Sequence, residues 1–171
     1  MSSTPELADL ETTKENSNNA NQFLTFILGS EEYGVDILRV QEIKGWDRVT
    51  PIPNTPEYIK GVINLRGAIV PIIDLRQRFN LQSISYGATT VVIVLKVTSE
   101  DKERTIGIVV DAVSDVYNIT MDEMKPPPDF GDIDIEFVEG LTTVDEKMVI
   151  VLNIDKLLNT SIVPEMSDQT H

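Results

Sequence analysis

The chain has 171 residues, with 28 acidic and 14 basic side chains and a formal net charge of -14. Cysteine is absent and the one histidine is His171, the last residue, which excludes a disulfide framework, a thiolate nucleophile, a Ser-His-Asp triad and a metal centre built on sulfur or imidazole. The acid excess repels phosphate backbones, so nucleic acid is not an expected partner.

Residues 1–22 carry Ser, Thr, Asn and acids, with apolar side chains only at Met1, Leu7, Ala8, Leu10 and Ala20. That is too little apolar surface to offset the entropy of ordering, so 1–22 reads as a disordered tail, and 161–171 reads as a second tail. The acidic, polar start is unlike a signal peptide. No apolar run approaches the ~20 residues of a membrane span. A soluble, cytoplasmic protein without membrane insertion is expected.

Between the tails, 23–160 is expected to form one compact unit dominated by short β-branched runs broken by turns. Phe23 to Leu28 passes through Gly29-Ser30-Glu31-Glu32 into Tyr33 to Ile37. Lys60 to Leu65 and Ala68 to Ile73 flank Arg66-Gly67 as a hairpin. Thr89 to Thr98 and Arg104 to Asp111 form another, and Met148 to Leu152 is a further strand. Asp74 to Phe79 and Asn153 to Leu158 each open on a residue that caps helices and predict helices of one or two turns. The class is mainly β with short helices, of barrel or sandwich type.

The chain also repeats itself. Gly34 to Ile43 aligns without gaps on Gly107 to Val116, and Gly61 to Phe79 on Gly140 to Leu158. Apolar positions coincide throughout, as in Val40/Val113, Ile43/Val116, Val62/Leu141 and Val70/Val149, and acids coincide at Glu42/Asp115. Two copies of one β unit, forming two small barrels packed face to face on one core, account for this order. The copies differ at the hairpin tip, Arg66-Gly67 against Asp145-Glu146, and at Pro71 against Ile150. The proline implies an open edge or bulge there. Charge divides too: Arg39 to Arg78 holds seven bases and four acids, net +3, and Met121 to Lys147 nine acids and two bases, net -7. Such a bipolar molecule suits partners of opposite sign.

Candidates for chemistry are few. Gly61 to Gly67 lacks the Gly-Lys-Ser/Thr of a phosphate loop. Asp132, Asp134 and Glu136 alternate as in a calcium loop, but its glycine and closing glutamate are replaced by Phe137 and Thr143. Asp111 and Asp115 read as surface charges, with no pocket-forming constellation around them. No cofactor, metal or catalytic residue is expected. Arg66, at a hairpin tip, is either a solubilising arginine or a partner contact. Phe130, after the stiff Lys125-Pro126-Pro127-Pro128 run, either plugs the core or anchors an interface.

Asn54 to Gly67, followed by Ile69-Val70-Pro71-Ile72-Ile73-Asp74-Leu75-Arg76, closely resembles the CheW-like coupling proteins of bacterial chemotaxis. So do Phe26 to Ile37, Val40-Gln41-Glu42-Ile43 and Gly107 to Asp111. The resemblance implies two intertwined, five-stranded SH3-like β-barrel subdomains around a shared hydrophobic core. It implies a non-catalytic adaptor that links the cytoplasmic tips of transmembrane chemoreceptors to the regulatory domain of the histidine kinase CheA, in membrane-associated arrays. A paralogous role in a kinase pathway for pili or surface sensing is the alternative. By motif matching, receptor binding would involve Ile37, Val40, Glu42, Arg66, Val91 and Val116. Kinase binding would involve Lys125, Asp129 and Phe130, with lysine where the family often has the more fork-shaped arginine.

Overall fold

A computed structural model of the protein describes residues 20–81, 86–100, 102–127 and 137–169, with 162–169 described as backbone helix alone. Its strands are β1 (Ala20–Leu28), β2 (Glu31–Asp36), β3 (Val40–Gly45), β4 (Ile59–Leu65), β5 (Ala68–Asp74), β6 (Val91–Ser99), β7 (Lys102–Val110), β8 (Ala112–Thr120), β9 (Val138–Val144) and β10 (Lys147–Leu152). Helices α1 (Leu75–Arg78) and α2 (Ile154–Gln169) and 3-10 turns at Ile37–Arg39 and Met121–Glu123 complete the order. The expected hairpins are present, and Asp74 caps α1 by accepting from the Arg76 and Gln77 amides.

Two five-stranded sheets form, β3-β6-β7-β5-β4 (barrel 1) and β8-β1-β2-β10-β9 (barrel 2). The fold is therefore mainly β, with two SH3-like sheets. The repeat maps β2 onto β7, β3 onto β8, β4 onto β9 and β5 onto β10. However, neither barrel is one copy of the repeat. Barrel 1 takes β3, β4 and β5 from the first copy and β6 and β7 from the second, and barrel 2 takes the complement. In each, the crossing strand joins by a short parallel ladder, Ile72↔Gly107 to Asp74↔Val109 in barrel 1 and Val149↔Glu32 to Val151↔Gly34 in barrel 2. Pro71 falls just before the first of these ladders, where its missing donor removes nothing from it.

This exchange explains the burial pattern. Along β6, Val92 and Val94 point into barrel 1 with Val70, Ile72 and Val109. The alternate residues Ile93, Leu95 and Val97 point the other way, into a core shared with Leu24, Phe26, Leu28 and Val35 from barrel 2. Both faces are buried, so the strand reads as a continuous apolar run rather than an alternation. Barrel 2 has its own small interior of Phe23, Ile119, Val149 and Val151. The shared core is much the largest of the three clusters.

Each sheet is open in strand order, and one contact draws its edges together. Beyond β3, Thr50 exchanges two backbone hydrogen bonds of 2.9 Å with Val62 of β4. Beyond β8, Lys125 exchanges two with Leu141 of β9, at 2.7 and 2.8 Å. The residue before each bridge is a glycine, and the two are repeat mates. A Cβ at Gly61 would overlap the Thr50 carbonyl, and one at Gly140 would overlap Met124 and approach the Lys125 carbonyl to 2.9 Å.

The two expected tails need correction at their inner ends. β1 starts at Ala20, pairing Ala20, Asn21 and Gln22 with Thr120, Ile119 and Asn118. Backbone pairing orders these residues without an apolar side-chain signature. α2 runs on to Gln169 rather than stopping after Leu158. Ser161 is buried: its carbonyl accepts from the Tyr58 hydroxyl at 3.0 Å, and its hydroxyl accepts from Arg78 Nε at 2.6 Å. Arg78 in turn lies over the Tyr58 and Phe137 rings. A serine on the buried face interrupts the apolar pattern and makes a docked turn look like a tail.

Gly61→Ala should lower the unfolding free energy by about 2 to 3 kcal/mol in urea titration, because the clash is with backbone that a side-chain rotation cannot relieve. A change within error would show that the barrel edges need not approach this closely.

Candidate functional site

Three of the residues expected to meet a receptor fall on the rim of the shared core. Ile37, Val40 and Val91 are half-buried and pack against it. Val116, on the edge strand of barrel 2, faces Leu24 of the same core and keeps 42% of its surface exposed. The 3-10 turn carrying Ile37 is held at both ends. Asp36 caps it by accepting from the Leu38 amide at 2.9 Å. Arg39 makes a two-pronged pair with Asp155 of α2, at 3.0 and 2.6 Å, and also reaches the Lys96 carbonyl and Thr98 hydroxyl. Fork-to-fork geometry of this kind fixes orientation as well as position.

Glu42 and Arg66 are brought together directly. Arg66 sits at the β4–β5 tip with φ 52°, and its Nη1 lies 2.7 Å from Glu42 Oε1 on β3. The Arg66 side chain keeps 75% of its surface exposed against 26% for Glu42, so the pair adds little to stability and leaves donors turned to solvent. β3 carries a bulge between Val40 and Glu42, which re-aims the glutamate toward the tip.

Two exposed apolar residues belong to the same rim and were absent from the expected set. Leu38 is 83% exposed at the 3-10 turn, and Ile43 is 43% exposed on β3. Ile43 was legible, because it is the repeat mate of Val116. Leu38 had no comparable signal, since a leucine beside Ile37 reads equally well as core. Of the expected kinase contacts, Lys125 is exposed at the barrel 2 bridge; Asp129 and Phe130 lie outside the described residues, as do Asp132, Asp134 and Glu136. Among the described residues no group of acids and histidines is placed to hold a metal ion, and no helix is long and apolar enough to cross a membrane.

Asp111 is not the surface charge it appeared to be. It takes two 2.8 Å bonds from Arg76 of α1 and one from the Gly29 amide in the β1–β2 turn. This fastens barrel 1 to the turn of barrel 2 through a pair whose side chains are 13% and 19% exposed. Burial alone would raise the carboxyl, but the hydrogen bonds from Arg76 and Gly29 overcome it and hold Asp111 below the usual aspartate range.

The profile of the CheW-like domain family matches residues 22–161. The chain belongs to that family. It is 53% identical over 140 residues to the chemotaxis protein CheW of Klebsiella aerogenes, covering 81% of this chain and 82% of that one. It is 34% identical over 145 residues to the chemotaxis protein CheW of Rhizobium meliloti, covering 84% and 91%. The crystal structure of the scaffolding protein TtCheW from Thermoanaerobacter tengcongensis superposes with a TM-score of 0.72 at 37% identity, over 80% of this chain and 86% of that one. The paired barrels are thus the CheW-like fold.

A depressed carboxyl stabilises the fold above its unfolded pKa, and that contribution is lost as pH falls through the folded value. Asp111→Asn should cost about 1.5 to 3 kcal/mol at neutral pH, and the gap to the parent should close on acidification below the aspartate range. Urea unfolding at several pH values measures this, and a gap that persists in acid would show the carboxylate is not held in this way.

Proposed function

We propose that this chain is a non-catalytic coupling adaptor of bacterial chemotaxis, binding the cytoplasmic tip of transmembrane chemoreceptors and the regulatory domain of the histidine kinase CheA. It works in the cytoplasm at membrane-associated arrays, by binding alone. The observation that carries the reading is the rim of the shared core. Exposed Leu38, Ile43 and Val116 stand beside the half-buried Ile37, Val40 and Val91, with the Glu42–Arg66 pair at the side. Apolar anchors flanked by an accessible guanidinium suit the face of a protein helix better than a small substrate. The family membership and the naming of a relative's structure as a scaffolding protein support the same role.

The kinase contact is assigned to Lys125, Asp129 and Phe130, of which Lys125 is exposed beside its bridge to Leu141 of β9. One molecule then holds two partners on separate faces, and the geometry between the faces is set by the shared core.

Arg66→Glu should weaken binding of a soluble receptor signalling fragment at least tenfold by calorimetry while shifting unfolding by under about 1 kcal/mol, the scale of an exposed ion pair. An unchanged affinity in a normally folded variant would remove Arg66 from the receptor site. Lys125→Glu/Phe130→Ala should weaken binding of the kinase regulatory domain and leave the receptor fragment's affinity unchanged. Equal loss of both affinities would contradict two separate faces.

A further inference from the structure

The duplication places an internal comparison in the molecule. In barrel 1 a bulged edge strand, β3, presents Glu42, and the tip of the β4–β5 hairpin sends Arg66 to meet it. Barrel 2 keeps every part of this arrangement except the cation. Its edge strand β8 shifts register at the same place, between Val113 opposite Phe26 and Val116 opposite Leu24. Asp115, the repeat mate of Glu42, sits in that shift with its amide donating to the Thr25 hydroxyl at 3.1 Å. The β9–β10 tip turns with positive φ at both central residues, Asp145 at 51° and Glu146 at 66°, as Arg66 and Gly67 do at 52° and 88°. Where barrel 1 holds a guanidinium, barrel 2 holds the carboxylate of Asp145.

A third acid stands in the same barrel, opposite Val149 in the parallel ladder. Glu32 of β2 is 6% exposed, and its Oε2 is buried without a hydrogen-bond partner among the described residues. None of Glu32, Asp115 and Asp145 forms an ion pair with a described residue. Tyr117 packs in the barrel 2 interior with Val144, the neighbour of Asp145, and with Val149, which pairs with Glu32; burial first, and then the charges of Glu32, Asp145 and Asp115, hold its hydroxyl above the usual tyrosine range. A buried acid without a partner is costly to keep. This end of barrel 2 therefore carries three acids that no described cation pairs with.

We propose that this end of barrel 2 is a docking site for an arginine side chain presented by a protein partner, taking the place that Arg66 fills from within in barrel 1. The carboxylates do not converge as a metal site would require. A guanidinium spans separated acids with several fixed donors and is weakly hydrated, so it enters a half-buried acidic site at lower cost than an ammonium does. The site adjoins the receptor rim at Val116 but uses none of the rim's other residues, and it stands or falls separately from the coupling role.

The test is a titration of the uniformly 15N-labelled full chain with the acetylated, amidated tripeptide Leu-Arg-Gly, the sequence of the barrel 1 tip, with Leu-Glu-Gly as control. Saturable amide shifts in the millimolar range are expected at Glu32, Asp115, Val116, Tyr117 and Asp145, absent with the control and weakened several-fold in Asp115→Asn/Asp145→Asn. A second variant, Asp145→Arg, supplies the cation from within. It should raise the unfolding temperature and abolish the tripeptide shifts. Non-saturable shifts, shifts spread evenly over the acidic surface, shifts unchanged in the double variant, or an Asp145→Arg protein that is less stable than its parent would each overturn the proposal.

Discussion

The shared core is the constraint on which the rest of the molecule depends. Its two sheets exchange strands, so neither barrel has a complete sequence segment or a sufficient interior of its own. Val92 and Val94 serve barrel 1 while Ile93, Leu95 and Val97, from the same strand, serve the interface. A change in the packing of that interface moves both barrels at once. Relative motion between them is correspondingly small, since sliding would expose Leu24, Phe26 and Leu95 together.

The proposed coupling role needs such rigidity more than it needs reactive groups. The rim proposed to meet the receptor lies where the barrels meet, so Ile37, Val40 and Val91 pack against residues from both. Two buried-side ion pairs reinforce this from opposite directions. Arg39–Asp155 ties the rim turn to the C-terminal helix, and Arg76–Asp111 ties α1 to the β1–β2 turn. Both pairs are two-pronged, and each joins elements far apart in sequence, so they specify relative placement. The exposed Glu42–Arg66 pair is of another kind: it holds little together and keeps a cation available at the edge of an apolar surface.

Much of the fold was legible in the sequence because the apolar positions of the two copies coincide. Gly61 and Gly140, Val62 and Leu141, and Val40 and Val113 all occupy matching places in the structure. The repeat alone did not give the strand exchange, since it carries no information about which barrel receives each strand; the intertwining was implied only by the family resemblance. The inner ends of the tails were missed for local reasons. Asn21 and Gln22 are ordered by a backbone ladder, and Ser161 by hydrogen bonds from Tyr58 and Arg78. Asp111 looked like a surface charge because its partner lies 35 residues away. At the rim, six residues came from motif resemblance. Ile43 needed only the repeat, and Leu38 needed the conformation of a three-residue turn.

The central claim is that one molecule bridges two partners at once. Sedimentation of a membrane-embedded receptor with the soluble kinase regulatory domain, with and without this protein, tests it most directly. The kinase domain is expected to pellet with the receptor only when this protein is added, in proportion to it. If this protein pellets with the receptor but leaves the kinase domain in solution, while still binding that domain in the absence of receptor, the two faces exclude each other and the bridging account is wrong.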